Sequence, residues 1–219
     1  GIGRLVHLSA IGAHSEGASE YAQSKGKGEE AIRAAFPSAV ILRPSIIFGP
    51  EDQFFNRFAA MARISPVLPL VGPETRFQPV YVDDVALAAV KGVLGEAQPG
   101  IYELGGPDIE SFRDLMTLML DTIRRRRLIV GLPFWLGTTM GHVTGAVSAL
   151  TGGLAPQPIT VDQVRSLRQD NVVGDGAETF ADLGITPTPM EAVLPSYLWQ
   201  FRPSGQYAAL KESARNLRH

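Results

Sequence analysis

Cysteine is absent from all 219 residues. That absence excludes disulfides, thiolate nucleophiles and thiolate metal sites together. Histidine is scarce. His7, His14, His142 and His219 are scattered, with no His-Glu-x-x-His or paired-carboxylate spacing, so no metal site is expected. An excess of one charge is also missing: 20 basic residues face 22 acidic ones, for a net charge of −2. No global positive field draws the chain to nucleic acid, and none is expected as a partner. The one basic run, Arg124 to Arg127, reads as a solvated helix end favoured by the dipole, or as a contact for phosphate or a lipid headgroup. There is no internal repeat and no low-complexity tract. The opening Gly1-Ile2-Gly3-Arg4 lacks the charged start and long apolar core of a signal peptide. It runs almost at once into a strand-like segment, a start that leads us to expect further sequence upstream.

What is present is ordinary for a globular protein: 45% hydrophobic and 19% charged residues, enough for a sizeable core. Leu5 to Leu8 is a short apolar run that predicts a buried strand. Ser19 to Phe36 predicts a helix, with Ser19 as its cap and Ala31, Ile32 and Ala35 on one face. Ala39 to Leu42 is a second buried-strand run, stopped by Arg43-Pro44. Strand, helix and buried strand in succession indicate parallel βαβ architecture. Further on, Gln53 to Arg63 predicts a helix. Pro79 to Val82 predicts a strand, with Asp83 or Asp84 capping a helix through Leu94. Ile101 to Leu104 predicts another strand. Ser111 with Asp114 resembles a capping box, opening a helix that runs to the arginines.

From Leu128 to Val161 there is no Asp, Glu, Lys or Arg. Gly137, Gly141 and Gly145 recur every four residues within this tract, a spacing that puts them on one helical face and lets another backbone approach. Three readings stand: a closely packed helix, a contact for a partner or a membrane surface, and a membrane span. Helices are predicted again over Thr160 to Leu167 and Met190 to Phe201, and the polar tail after Arg202 is expected to be loose.

Tyr21 and Lys25 stand four apart on the first predicted helix, which places both side chains on one face. A phenol is a poor acid or base at neutral pH, and an ammonium beside it favours the phenolate. The same lysine can hydrogen-bond a ribose, while a serine at the preceding strand end, Ser9, can polarise a carbonyl. The bland alternative is a surface tyrosine beside a solvated lysine.

Taken in order, Leu8-Ser9-Ala10, Tyr21 to Lys25, Arg43-Pro44 through Gly49-Pro50, and Val80 to Ala86 resemble the short-chain dehydrogenase/reductase superfamily, in its extended and atypical branches. Phe48 to Phe58, Gln78 to Val82, Leu183 to Pro189 and Tyr197-Leu198 resemble more closely the nucleotide-binding accessory subunit of respiratory complex I and its bacterial relatives. The resemblance implies a Rossmann-like, doubly wound α/β fold. Residues 1–106 would form the second half of the nucleotide-binding domain, the N-terminal βαβ half being absent, and residues 107–219 a smaller, mainly helical region. It implies Tyr21, Lys25 and Ser9 as catalytic residues. Tyr21, Lys25, Pro44, Ser45 and Ile46 would contact NADP or NAD, held largely as a structural element. It also implies complex I subunits or a membrane surface as partners through residues 128–161, on the cytoplasmic, inner face of an energy-transducing membrane.

Two departures from the family pattern qualify these roles. No Gly-x-Gly-x-x-Gly or Gly-x-x-Gly-x-x-Gly occurs, so the amides that normally cradle the pyrophosphate have no counterpart. Ser9 is followed by Ala10 and Ile11, where many relatives carry further serines. The alternatives to an accessory protein are a reductase or nucleotide-sugar epimerase using Tyr21 and Lys25, and a sensor that distinguishes reduced from oxidised cofactor.

Overall fold

The computed structural model describes residues 1–151, 159–203 and 205. Three parallel strands form its central sheet: β1 (Val6–Leu8), β2 (Val40–Pro44) and β7 (Gly100–Leu104), in the order β1-β2-β7. The register sets Val6 beside Val40 and His7 beside Ile41, and carries on to pair Arg43 with Glu103. Side chains alternate across a strand, so this register decides what each face meets. The Val6 and Val40 face meets α3 (Val82–Leu94) at Gly92, where an added Cβ would lie 2.6 Å from Val6. The His7 and Arg43 face meets α1 (Glu20–Ala35), through Gly28 and Glu29. Helices on both faces of a parallel sheet make the expected α/β fold.

Helix α1 begins as its sequence dictates, with the Ser19 hydroxyl accepting from the Ala22 N–H. Strand β1 departs from the buried strand expected. Leu8 is 48% exposed, because β1 pairs only with β2 and its other edge has no partner among the described residues. Neither Asp83 nor Asp84 caps α3. The helix starts at Val82, and the Asp84 carboxylate instead accepts from the backbone N–H and hydroxyl of Thr188. Asp84 therefore fastens the late segment to the helix that packs on the central sheet.

Three smaller strand pairs complete the chain. Strand β3 (Ile47–Phe48) pairs with β6 (Val80–Tyr81), and β4 (Val67–Val71) pairs with β9 (Leu128–Leu132), both parallel. Strands β5 (Arg76–Phe77) and β8 (Glu110–Ser111) pair antiparallel. Helices α2 (Phe55–Ile64), α4 (Phe112–Thr122) and α7 (Met190–Leu198) enclose the larger core, which includes Phe55, Leu68, Met116, Met119 and Leu194. The Ser111–Asp114 box is half made: Ser111 Oγ accepts from the Asp114 N–H and donates back to its carboxylate.

The arginine run is not the solvated helix end expected. Helix α4 stops at Thr122, and Arg124 takes a left-handed φ of 55°. Arg127 Nε donates to the Ala62 carbonyl near the end of α2, and Arg125 Nε to the Phe201 carbonyl at the end of a 3-10 turn, Trp199–Phe201. In exchange Arg202 Nε donates to the Thr122 carbonyl. Cations at helix C-termini satisfy carbonyls that have no partner within the helix, so the arginines bind this core together at its corners.

Within the uncharged tract lie β9, α5 (Phe134–Leu150) and the lead into α6 (Val161–Ser166). Among the described residues no helix is long and apolar enough to cross a membrane, and the closely packed reading holds at two of the three glycines. A Cβ on Gly137 would lie 2.8 Å from Val71, and one on Gly141 2.8 Å from the backbone of Val161, whereas Gly145 has no described atom within 4 Å. Residues 152–158 of this tract, and nearly all of the tail after Arg202, lie outside the described residues.

Candidate functional site

The site forms where the strand ends of the central sheet meet the segment after α5. Helix α1 presents Tyr21 in its first turn, 54% exposed, and Lys25 one turn later. The Lys25 ammonium lies 5.8 Å from the centroid of the Tyr21 ring and donates to the Leu8 carbonyl at 3.3 Å, linking α1 to the end of β1. Burial pushes the Tyr21 phenol above its ordinary 10.0. In this arrangement the hydroxyl holds its proton, and the ammonium over the ring face does not reverse that.

Sequence reasoning missed what fixes this helix end. Asp162, in the first turn of α6, accepts from the Glu20 N–H at 2.7 Å and from the Tyr21 N–H at 3.1 Å. Together with Ser19 it satisfies three of the four N–H groups that a helix start leaves unpaired. Helix α6 is itself fixed by a capping box between Thr160 and Gln163. The helix lies within the span expected for it, Thr160 to Leu167. Gly26 lets the loop at His14–Ser15 lie against α1, since a Cβ there would stand 2.3 Å from both residues' backbones.

Ser9 is buried, and its hydroxyl donates to Glu29 Oε1 at 2.5 Å. Glu29 in turn accepts from Arg43 Nε at 2.8 Å and Nη2 at 2.6 Å, and Arg43 reaches Glu103 at 3.3 Å. Burial opposes ionisation of Glu29, but the hydrogen bonds from Arg43 and Ser9 outweigh it and hold the carboxyl below its ordinary value. A buried ion pair with both carboxylate oxygens occupied is an alignment device for the strand ends. Glu29 follows Tyr21 and Lys25 at the same four-residue spacing, and that spacing was the signal that could have found it.

The expected cofactor contacts are placed as follows. The Pro44 carbonyl accepts from the Ile11 N–H at 3.0 Å. Ser45 is buried, with its N–H on the Leu104 carbonyl and its hydroxyl donating to Asn171 Oδ1 at 2.7 Å. The Ile46 carbonyl accepts from the Val80 N–H at 2.9 Å. Of the residues singled out, Tyr21 and Ile46 line a common cavity of about 720 Å³, while Ser9, Lys25, Pro44 and Ser45 are not part of its lining. The cavity is walled mostly by apolar side chains, and an aromatic cluster of Phe54, Phe58, Phe77 and Phe112 forms part of it. A groove of about 590 Å³ along Gln78, Gly105, Gly106 and residues 179–187 shares no lining residue with it.

No family model matches the chain. Over 210 residues, 94% of its length, it is 35% identical to the mitochondrial NADH dehydrogenase [ubiquinone] 1 alpha subcomplex subunit 9 of Arabidopsis thaliana, covering 52% of that protein. The chain spans about half the length of the curated relatives it matches. Over 87 residues it is 40% identical to the ceramide reductase of Caulobacter vibrioides, covering 40% of this chain and 27% of that one. Among solved structures, a dTDP-glucose 4,6-dehydratase from Streptomyces venezuelae with NAD bound superposes on 95% of the chain and 63% of its own, with a TM-score of 0.62 and 18% identity.

Proposed function

We propose that the chain, similar to subunit 9 of respiratory complex I along nearly its whole length, belongs to the subunit 9 branch of the short-chain dehydrogenase/reductase superfamily and is a nucleotide-binding accessory protein of a respiratory NADH:quinone oxidoreductase, with NADP or NAD held mainly as a structural element. The observation that carries this reading is the match to subunit 9 along nearly the whole chain. Solved structures sharing the fold hold NAD or NADP. The residues present fit the nicotinamide-ribose end of such a molecule: the Tyr21 hydroxyl and the Lys25 ammonium share a helical face beside the ends of parallel strands. When bound, the dinucleotide supplies hydride chemistry, whereas this chain's own part is to hold the ribose and a proton on Tyr21. A structural role is favoured by Ser9, which is buried with its hydroxyl engaged by Glu29.

The partner-facing surface in this reading is the outer side of α5, where Trp135, Val143, Val147 and Leu150 are exposed on a helix without charge. Docking there would set the protein peripherally against complex I subunits or the inner membrane face. The test is native mass spectrometry of the respiratory complex from the natural source. The expected result is this protein within the assembly, carrying one nucleotide, with no turnover of added carbonyl compounds. A protein absent from the assembly, or one that turns over a carbonyl substrate and loses that turnover in Tyr21→Phe, would sink the reading.

A second reading, a carbonyl reductase, is favoured by the apolar cavity beside Tyr21 and by the similarity to a ceramide reductase. Here the protonated Tyr21 would donate to the substrate oxygen, and Lys25 would hold the ribose.

A further inference from the structure

The cavity beside Tyr21 is large for the few polar groups it offers. Ligand sites span about 300–1,000 Å³, and its 720 Å³ lies well within that range. Ile46, Phe54, Met61, Leu132 and Met140 line it, drawn from four separate parts of the chain. Arg57 and Asp170 are the charged residues of the described lining, and Asp170 is paired with Arg76 at 2.8 Å. A nucleoside diphosphate brings two or more negative charges, and such ligands are met by several cations or helix N-termini. This wall offers one cation, Arg57, and the helix starts that reach it, at Ser19, Phe54 and Phe112, have N–H groups already taken by Ser19, Asp162, Asp52, Thr75 and Ser111. Beside Tyr21, its uncharged hydrogen-bonding side chains are Ser19, Gln163, Ser166 and Asn171, each already engaged within the chain, and Gln53 and Gln169.

We propose that this cavity binds an amphiphile with one long hydrocarbon tail and an uncharged, oxygen-bearing head, the head at Tyr21 and the tail against Phe54, Met61 and Met140. The tail removes apolar wall from water, while a neutral head needs no counter-ion there. An acyl chain and a prenyl chain share this chemistry. Binding requires neither turnover nor a respiratory partner, so this inference stands or falls apart from the proposed function.

The experiment titrates the full chain with N-acylethanolamines of 8 to 16 carbons, below their micelle concentrations, and in parallel with a short-tailed prenyl benzoquinone and with UDP-glucose. In the acyl series, affinity should rise by up to about fourfold per added methylene until the cavity is filled. Met140→Trp narrows the cavity from a half-exposed position that tolerates bulk, and should weaken the longest member at least tenfold while sparing the shortest. Met61→Trp serves the same purpose from α2. Val90→Ser, on the exposed face of α3, should change nothing. Saturable binding of the quinone with the same Met140→Trp sensitivity also supports the inference, and names the prenyl source. Affinity that ignores tail length, a loss in Val90→Ser equal to that in Met140→Trp, or binding of UDP-glucose alone would overturn it.

Discussion

At the scale of the residue, Glu29 is the side chain on which most depends. Its carboxylate oxygens take hydrogen bonds from Ser9 and Arg43 in a site with little water. Removing one partner of a buried pair leaves the other charged and unmatched. Because Arg43 keeps 21% of its side chain exposed, we expect Glu29→Gln to cost roughly 2–3 kcal/mol at pH 7, measured by urea denaturation. The pH dependence follows in sign. The folded carboxyl sits below its ordinary 4.5, so on acidification the unfolded chain takes up the proton first. The stabilisation is fully present above 4.5 and is lost as pH falls through the lowered folded value, so Glu29→Gln should flatten the acid limb of the stability profile. A variant with an unchanged acid limb would show that the pair contributes nothing. Tyr21 and Lys25 were legible because their spacing is local to one helix. Asp162 was not, since nothing in the sequence states that a residue 141 positions away will bond the Tyr21 N–H.

At the scale of the element, the uncharged tract shows how far periodicity reaches. Its three glycines share one spacing, but among the described residues only Gly137 and Gly141 face a neighbour. Gly141→Ala should be destabilising by about 1–3 kcal/mol, because the added methyl meets the Val161 backbone. Gly145→Ala should be neutral or stabilising by up to about 1 kcal/mol, the ordinary helix preference for alanine. Thermal melts of the two variants check this, and equal effects would mean that α5 does not rest on α6. The central strands were legible as apolar runs between turn residues. Strand β4 was not, because Pro69 stands in its middle and argues against a strand. It is tolerated because, among the described residues, β4 pairs on one side only, with β9. Strand β9 was hidden by the same lack of charge that drew attention to the tract. The arginines were visible as a run, but their partners are carbonyls, and every residue has one.

At the scale of the whole molecule, a cofactor that serves as structure must appear in stability. At a ligand concentration one hundred times its Kd, binding only the native state adds about 2.7 kcal/mol, or roughly 5–11 °C in Tm for a chain of this size. NADP or NAD should produce that shift in the full-length protein, and Lys25→Ala should diminish it. A Tm indifferent to both nucleotides would remove the structural role.

The bonds from Asp162 to Glu20 and Tyr21 also bear on when the site exists. They join positions 142 and 141 residues apart, and β4 waits more than fifty residues for β9. Long-range closures of this kind come late in folding. During synthesis the tyrosine's helix leaves the ribosome about 140 residues ahead of α6, and its leading turn lacks the Asp162 anchor until α6 has followed. The earlier-made side of the site thus waits on the later one, and a nascent chain carries the tyrosine without the means to aim it.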